Sequence, residues 1–229
     1  MTIEAIIFDM DGTIVDTETP DYQSWLEVYR AHGLDLDISL WKQRVGHVVH
    51  DGASGVFNPA HHFEKLTGSP LDPITRRNQQ RRYMALCEQQ PPLPGVMDLL
   101  HYATALGIPL GIASNSDRDW VYYWLRFLGL VDFFGCVYTR DDVENPKPAP
   151  EVYLRAAAHL GAAPARCIGI EDSPLGMRAV NAAGMWCVAV PNHLTAHLER
   201  PEVALTVSSL AEIEPAALLA RFCGSLLDN

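Results

Sequence analysis

The sequence predicts an α/β fold, a parallel sheet with helices between its strands and a helical domain inserted after the first strand. Three observations carry this. Short apolar runs of strand length recur at Ala5–Phe8, Pro109–Ala113, Cys136–Thr139, Cys167–Ile170 and Cys187–Val190. Helix-like stretches, Val121–Leu128, Glu151–Leu160 and Pro174–Ala183, lie among the later runs, which is the alternation of βαβ units. The interval between the first run and the second is far longer than an ordinary crossover.

The first run, Ala5-Ile6-Ile7-Phe8, is continuously apolar, as expected of a strand buried on both faces. The long interval that follows reads as helices at Asp21–His32, from near Asp37, and at Asp72–Gln90. Pro91-Pro92-Leu93-Pro94-Gly95 then closes it with a stiff turn. The simplest organisation is a sheet domain of residues 1–16 and 92–229 and an inserted helical domain of residues 17–91, overhanging the end of the first strand. A last strand at Ala204–Val207 and a terminal helix at Pro215–Leu227 complete the chain.

With 229 residues, 48% of them hydrophobic, the chain can fill one α/β core and a smaller helical domain. A net charge of −11 disfavours nucleic acid and anionic membranes as partners. No apolar run approaches the roughly 18 residues of a membrane span. No targeting segment is expected, because the first strand starts almost at once. The five cysteines are odd in number and form no CxxC pair, and three of them fall in or beside strand-like runs. Buried thiols in a reducing, cytoplasmic setting are the natural expectation.

The chemistry gathers at strand ends. Asp9 and Asp11 follow the first run, with Gly12 allowing a sharp turn. Acids at i and i+2 of an extended segment face the same way. Two such charges about 4 Å apart repel by roughly 4 kcal/mol at an effective dielectric near 20, so they call for a cation or a shared proton. The second run ends in Ser114-Asn115-Ser116 and the fourth in Glu171-Asp172-Ser173. Between these, Asn145-Pro146-Lys147-Pro148-Ala149-Pro150 puts a lysine on a proline-stiffened loop. Taken singly, the serines and asparagine are ordinary caps and turn formers, Lys147 a solvated charge and Glu171-Asp172-Ser173-Pro174 a helix start. Together, at one sheet edge, they supply acids for a divalent cation, donors for phosphate oxygens and one positive charge.

These motifs resemble the haloacid dehalogenase-like superfamily, within it the helical-cap group that includes β-phosphoglucomutase and many sugar-phosphate phosphatases. FDMDGTIVDTE matches its first motif, IASNS the second, KPAPEVY the third and GIEDSPLGMRAVNAAGM the fourth. The resemblance implies a Rossmann-like core carrying an α-helical cap. It implies Asp9 as a nucleophile that becomes an aspartyl phosphate and Asp11 as general acid/base. Ser114, Asn115 and Lys147 become phosphate ligands. Asp9, the backbone carbonyl of Asp11, Glu171 and Asp172 become a Mg²⁺ site. An aspartate at position 11 sets the chain apart from the dehalogenase and phosphonatase branches, since a leaving alkoxide needs a proton. Pro146 and Glu151 depart from the usual glycine and aspartate of the third motif.

Substrate choice is expected to lie in the inserted domain, with Arg44, His47, His50 and the cluster Arg76, Arg77, Arg81 and Arg82 as candidates. Arg77 and Arg81, at i and i+4, share a helix face and suit a second anionic group; the bland alternative is a solvated face. His61-His62 reads as packing, Trp25 and Trp41 as core, and Phe57-Asn58-Pro59 as a turn. Asp21 and Asp117 stand where the mutase has a histidine and a lysine, although Arg118 offers a replacement for the latter. The expectation is therefore a Mg²⁺-dependent phosphatase of a small phosphorylated metabolite, a sugar phosphate. The alternatives are a phosphosugar mutase using the same intermediate and a non-catalytic phosphate-binding protein.

Overall fold

The computed structural model describes residues 2–42, 44 and 56–223. The chain forms two compact units, Met1–Val15 with Pro92–Asn229, and Asp16–Pro91. In chain order the strands are β1 (Ala5–Phe8), β2 (Leu110–Ala113), β3 (Cys136–Tyr138), β4 (Cys167–Glu171), β5 (Trp186–Ala189) and β6 (Leu205–Thr206). The helices are α1 (Glu18–Ala31), α2 (Ile38–Trp41), α3 (Pro59–Thr67), α4 (Pro73–Cys87), α5 (Val96–Ala105), α6 (Arg118–Phe127), α7 (Glu151–His159), α8 (Pro174–Ala182) and α9 (Pro215–Cys223).

The strands form one parallel sheet in the order β3-β2-β1-β4-β5-β6, the Rossmann-like α/β architecture expected. β1 is central, with Phe8 opposite Ile112 of β2 and Ile170 of β4. All four of its residues are fully buried, which explains their unbroken apolar character. Chain order reverses across the β1–β4 neighbours, and parallel strands bring their carboxyl ends to one edge, where such sheets bind ligands. α7 packs across β1, β2 and β3, α8 packs on β4 and β5, and α5 packs on β2 and α9.

Two helices of the sheet domain depart from the sequence expectations. α5 was not anticipated behind the Pro-rich turn, yet it buries Val96, Leu99, Leu100 and Ala103, an i, i+3, i+4, i+7 stripe. α6 starts three residues before Val121 because the Asp117 side chain accepts from Trp120 N at 2.9 Å and caps an extra turn.

In the Asp16–Pro91 unit, α1 packs on α4, and Gln79 Nε2 donates to Ser24 Oγ at 2.7 Å inside that contact. Tyr29 is fully buried and donates to Pro59 O at 2.7 Å, with its hydroxyl also 3.0 Å from His62 Nδ1. His62 therefore packs, and Trp25 and Trp41 are core. Phe57-Asn58-Pro59 leads into a helix rather than a simple turn: Asn58 caps α3 by accepting from His61 N, and Pro59 fills its first position. Arg44 pairs with Asp21 at 3.2 Å and lies over the Trp41 ring. Arg76 lies over Trp25, and Arg82 pairs with Glu27. Arg77 and Arg81 stand exposed on α4. His47 and His50 lie outside the described residues.

Among the described residues no helix is long and apolar enough to cross a membrane. Cys136, Cys167 and Cys187 are buried thiols, and burial pushes the first two up to about 11 and the third higher still. The thiolate is the reactive form. Iodoacetamide at pH 8 should therefore leave these three unlabelled in the native protein and label them all in urea. Peptide mass spectrometry reads the result, and native labelling at the unfolded rate would contradict the packing.

Candidate active site

One lysine ties the strand ends together. Lys147 Nζ donates to Asp9 Oδ1 and to Glu171 Oε1, each at 2.6 Å, and its side chain is only 3% exposed. Its loop is held from both sides. Lys147 N donates to Asn115 Oδ1 at 2.9 Å, and Asn115 Nδ2 returns a bond to Lys147 O at 3.2 Å. Asn115 thus grips the main chain of the lysine loop. Glu151 accepts from Glu144 N and Asn145 N and pairs with Arg155, so the glutamate that departs from the third motif closes this loop itself. The Asn145 amide, foremost among these contacts, holds its carboxyl below the ordinary value.

Glu171, fully buried at the end of β4, has donors on both oxygens. Oε1 takes Lys147 and the Tyr153 hydroxyl at 2.8 Å; Oε2 takes Ser173 N and Oγ at 3.3 and 3.2 Å. Ser173 also caps α8 by accepting from Gly176 N. The helix start lies so close that a Cβ on Gly176 would sit 1.8 Å from Glu171 Oε1. Next along, Asp172 Oδ2 accepts from Asn192 Nδ2 at 2.8 Å. Asn192 is set by its own turn, with Oδ1 accepting from Leu194 N and Thr195 N. Gly12 passes against this pair at φ 82°, where a Cβ would meet Asp172 Oδ2 at 2.5 Å, so a side chain there is doubly excluded.

Asp11 has separate partners. β1 stops at Phe8, and Met10 O accepts from Ile14 N as the chain turns. Ser116 Oγ donates to Asp11 Oδ2 at 2.5 Å and Trp120 Nε1 to Asp11 Oδ1 at 2.8 Å. Ser114 is buried, and its hydroxyl accepts from Ser116 N at 3.0 Å. Asp9, Lys147, Glu171 and Asp172 are thus brought together, with Asn115 bonded to the Lys147 main chain and Ser114 at the end of β2, the neighbour of β1. Tyr153, Trp120, Asn192 and Gly176 were not singled out from sequence. Asn192 had the signal of the other strand-end residues, a polar side chain just past an apolar run, here after Pro191.

Asp9, Glu171 and Asp172 each offer a carboxylate oxygen, all within 4.8 Å of one another. Three acids therefore face one lysine. Burial, opposed by Lys147 and reinforced by Glu171 and Asp11, pushes the Asp9 carboxyl up to about 7. Burial works against the Lys147 charge, but Asp9 and Glu171 outweigh it and hold the ammonium above its ordinary value. A hard, oxygen-only donor set with excess negative charge fits a small divalent cation.

A family model described as haloacid dehalogenase-like hydrolase matches residues 3–184. The chain belongs to this family. It is an enzyme, a phosphoric monoester hydrolase or a phosphosugar mutase. It is 41% identical over 219 residues to the Bacillus subtilis (strain 168) protein named "Putative phosphatase YhcW", covering 95% of this chain and 96% of that one. It is 32% identical to fructose-1-phosphate phosphatase YqaB of Escherichia coli (strain K12), covering 81% and 95%. A solved HAD family hydrolase of Deinococcus radiodurans R1, with bound phosphate and sodium, superposes with a TM-score of 0.75 at 28% identity, covering 96% of each chain.

Gly176→Ala should push the Glu171 carboxylate out of its place and destabilise the fold by about 1–3 kcal/mol, the ordinary cost of overpacking. Urea unfolding measures this, and an unchanged midpoint would contradict the close approach.

Proposed function

We propose that the protein is a Mg²⁺-dependent phosphatase of a small phosphorylated metabolite, a sugar phosphate, working through an aspartyl phosphate on Asp9. The observation that carries this reading is the buried Lys147 ammonium 2.6 Å from Asp9 Oδ1 within a cluster of three carboxylates at the switch point of the sheet.

An Asp9 carboxylate oxygen attacks phosphorus, the P–O bond to the sugar breaks, and Asp11 gives its proton to the departing oxygen. Asp11, now a carboxylate, then takes a proton from water as that water attacks the phosphoryl group on Asp9, releasing phosphate and restoring both acids. Lys147 Nζ neutralises phosphoryl oxygens carried on Asp9, and the Ser114 hydroxyl holds another. Asn115 fixes the lysine loop from beneath, through the two bonds described above. Asp9 and Asp172, with Glu171 behind them, would hold Mg²⁺. The ion, when bound, screens the like charges of carboxylate and phosphate. Phosphoryl transfer asks mainly for positioning and charge neutralisation, and these residues offer both.

Hydrolysis is favoured over mutase chemistry because a mutase must also hold a second phosphate. Asp117 is an acid that caps α6 and pairs with Arg140 at 3.4 Å. Arg118 is committed to an ion pair with Asp142. Asp21 is engaged by Arg44.

Asp9→Asn is expected to lower kcat by about a thousandfold or more, as removal of a nucleophile does. Phosphate release from a panel of sugar phosphates measures it. EDTA should abolish turnover by the wild-type protein and Mg²⁺ restore it. Primer-dependent isomerisation of β-glucose 1-phosphate without free phosphate would instead establish a mutase. Full activity in Asp9→Asn would contradict the mechanism in either form.

A further inference from the structure

Asp11 is asked to hand over a proton and take one back, which demands that its carboxylate stay in one place. The support comes from the segment joining β2 to α6. The Ser116 hydroxyl donates to Asp11 Oδ2 at 2.5 Å and the Trp120 indole to Asp11 Oδ1 at 2.8 Å. We propose that Trp120 is a positioning residue for Asp11, and that with Ser116 it forms a two-point grip fixing the carboxylate plane for leaving-group protonation. This rests on the phosphatase reading above.

Trp120 is suited to the task in three ways. Its indole N–H only donates, so it holds the acid/base without exchanging protons with it. Its ring is locked by packing, edge-on to the fully buried Trp124 with centroids 5.4 Å apart. Its backbone is locked by the Asp117 cap, 2.9 Å from Trp120 N. An enclosed tryptophan N–H usually finds a hydrogen-bond acceptor. Here the acceptor is a carboxylate 109 residues away in sequence.

The grip matters in the first half-reaction. As the ester P–O bond breaks, its electron pair goes to the leaving oxygen, which takes the Asp11 proton. A grip that orients this transfer matters for an alkoxide and far less for p-nitrophenolate, which leaves without a proton. A loss of general stability lowers both reactions alike, so the leaving group separates positioning from mere structure.

The test compares kcat/KM for glucose 6-phosphate and p-nitrophenyl phosphate in the wild-type protein, Trp120→Phe and Ser116→Ala. Phenylalanine keeps the ring and removes the donor, and Ser116→Ala carries the test if Trp120→Phe fails to fold. For each variant the alkyl ester should lose about 10- to 100-fold, a part of the roughly 10²- to 10⁴-fold that a general acid contributes, and the aryl ester at least tenfold less. The ¹H–¹⁵N spectrum supplies a readout free of turnover: the Trp120 indole resonance, assigned by its loss in Trp120→Phe, should shift in Asp11→Ala. Equal losses on both esters, or an unmoved indole resonance, would overturn the positioning role while leaving the phosphatase reading intact. A wild-type protein that cleaves neither p-nitrophenyl phosphate nor any ester of the sugar-phosphate panel would overturn the phosphatase reading and the role with it, even if the indole resonance shifts.

Discussion

The site depends on one buried ammonium shared by two carboxylates. Lys147 stands between Asp9 at the end of β1 and Glu171 at the end of β4, strands that are hydrogen-bonded neighbours. Ionised groups lose several kcal/mol each on leaving water, so such a trio persists only where charges and hydrogen bonds compensate one another. That requirement accounts for the surroundings. Tyr153 and Ser173 satisfy Glu171, and Gly176 leaves room for it. Asn115 and Glu151 hold the lysine loop, and the proline-rich stretch around Lys147 limits where the chain can go.

The same arrangement explains why the site is charged for phosphate chemistry rather than neutral and inert. One lysine does not balance three acids, and burial, with the nearby acids adding to it, pushes the Asp9 carboxyl up. The excess is what a divalent cation would offset, as the proposed mechanism needs before an anionic phosphate enters. Asp11 adds its own charge to this crowding and has its own donors, Ser116 and Trp120.

Much of this was legible because strand ends are local. The run Ala5–Phe8 is apolar throughout because both of its faces are covered, and the acid that follows must emerge at the sheet edge. The same reasoning located Ser114, Glu171 and Asp172, and it would have located Asn192 had it been applied after β5. Helices were lost where punctuation masked pattern. Pro94-Gly95 drew attention from the stripe in α5, and Asn58-Pro59 is the start of α3 rather than a turn. The role of Asn115 and the target of Tyr153 were beyond local reading. Each depends on where a loop or helix crosses the sheet, which spacing along the chain does not encode. Trp120 fell one residue outside the expected helix, and the Asp117 cap brings it in.

The central claim is that an Asp9 oxygen becomes bonded to phosphorus during turnover. The protein should be mixed with a rapidly cleaved sugar phosphate and Mg²⁺, quenched in acid within milliseconds and reduced with borohydride. Peptide mass spectrometry then locates any reduced acyl phosphate. The account predicts homoserine in place of aspartate at position 9 and nowhere else. Steady turnover with position 9 unmodified, or the reduced residue at another carboxylate, would contradict it.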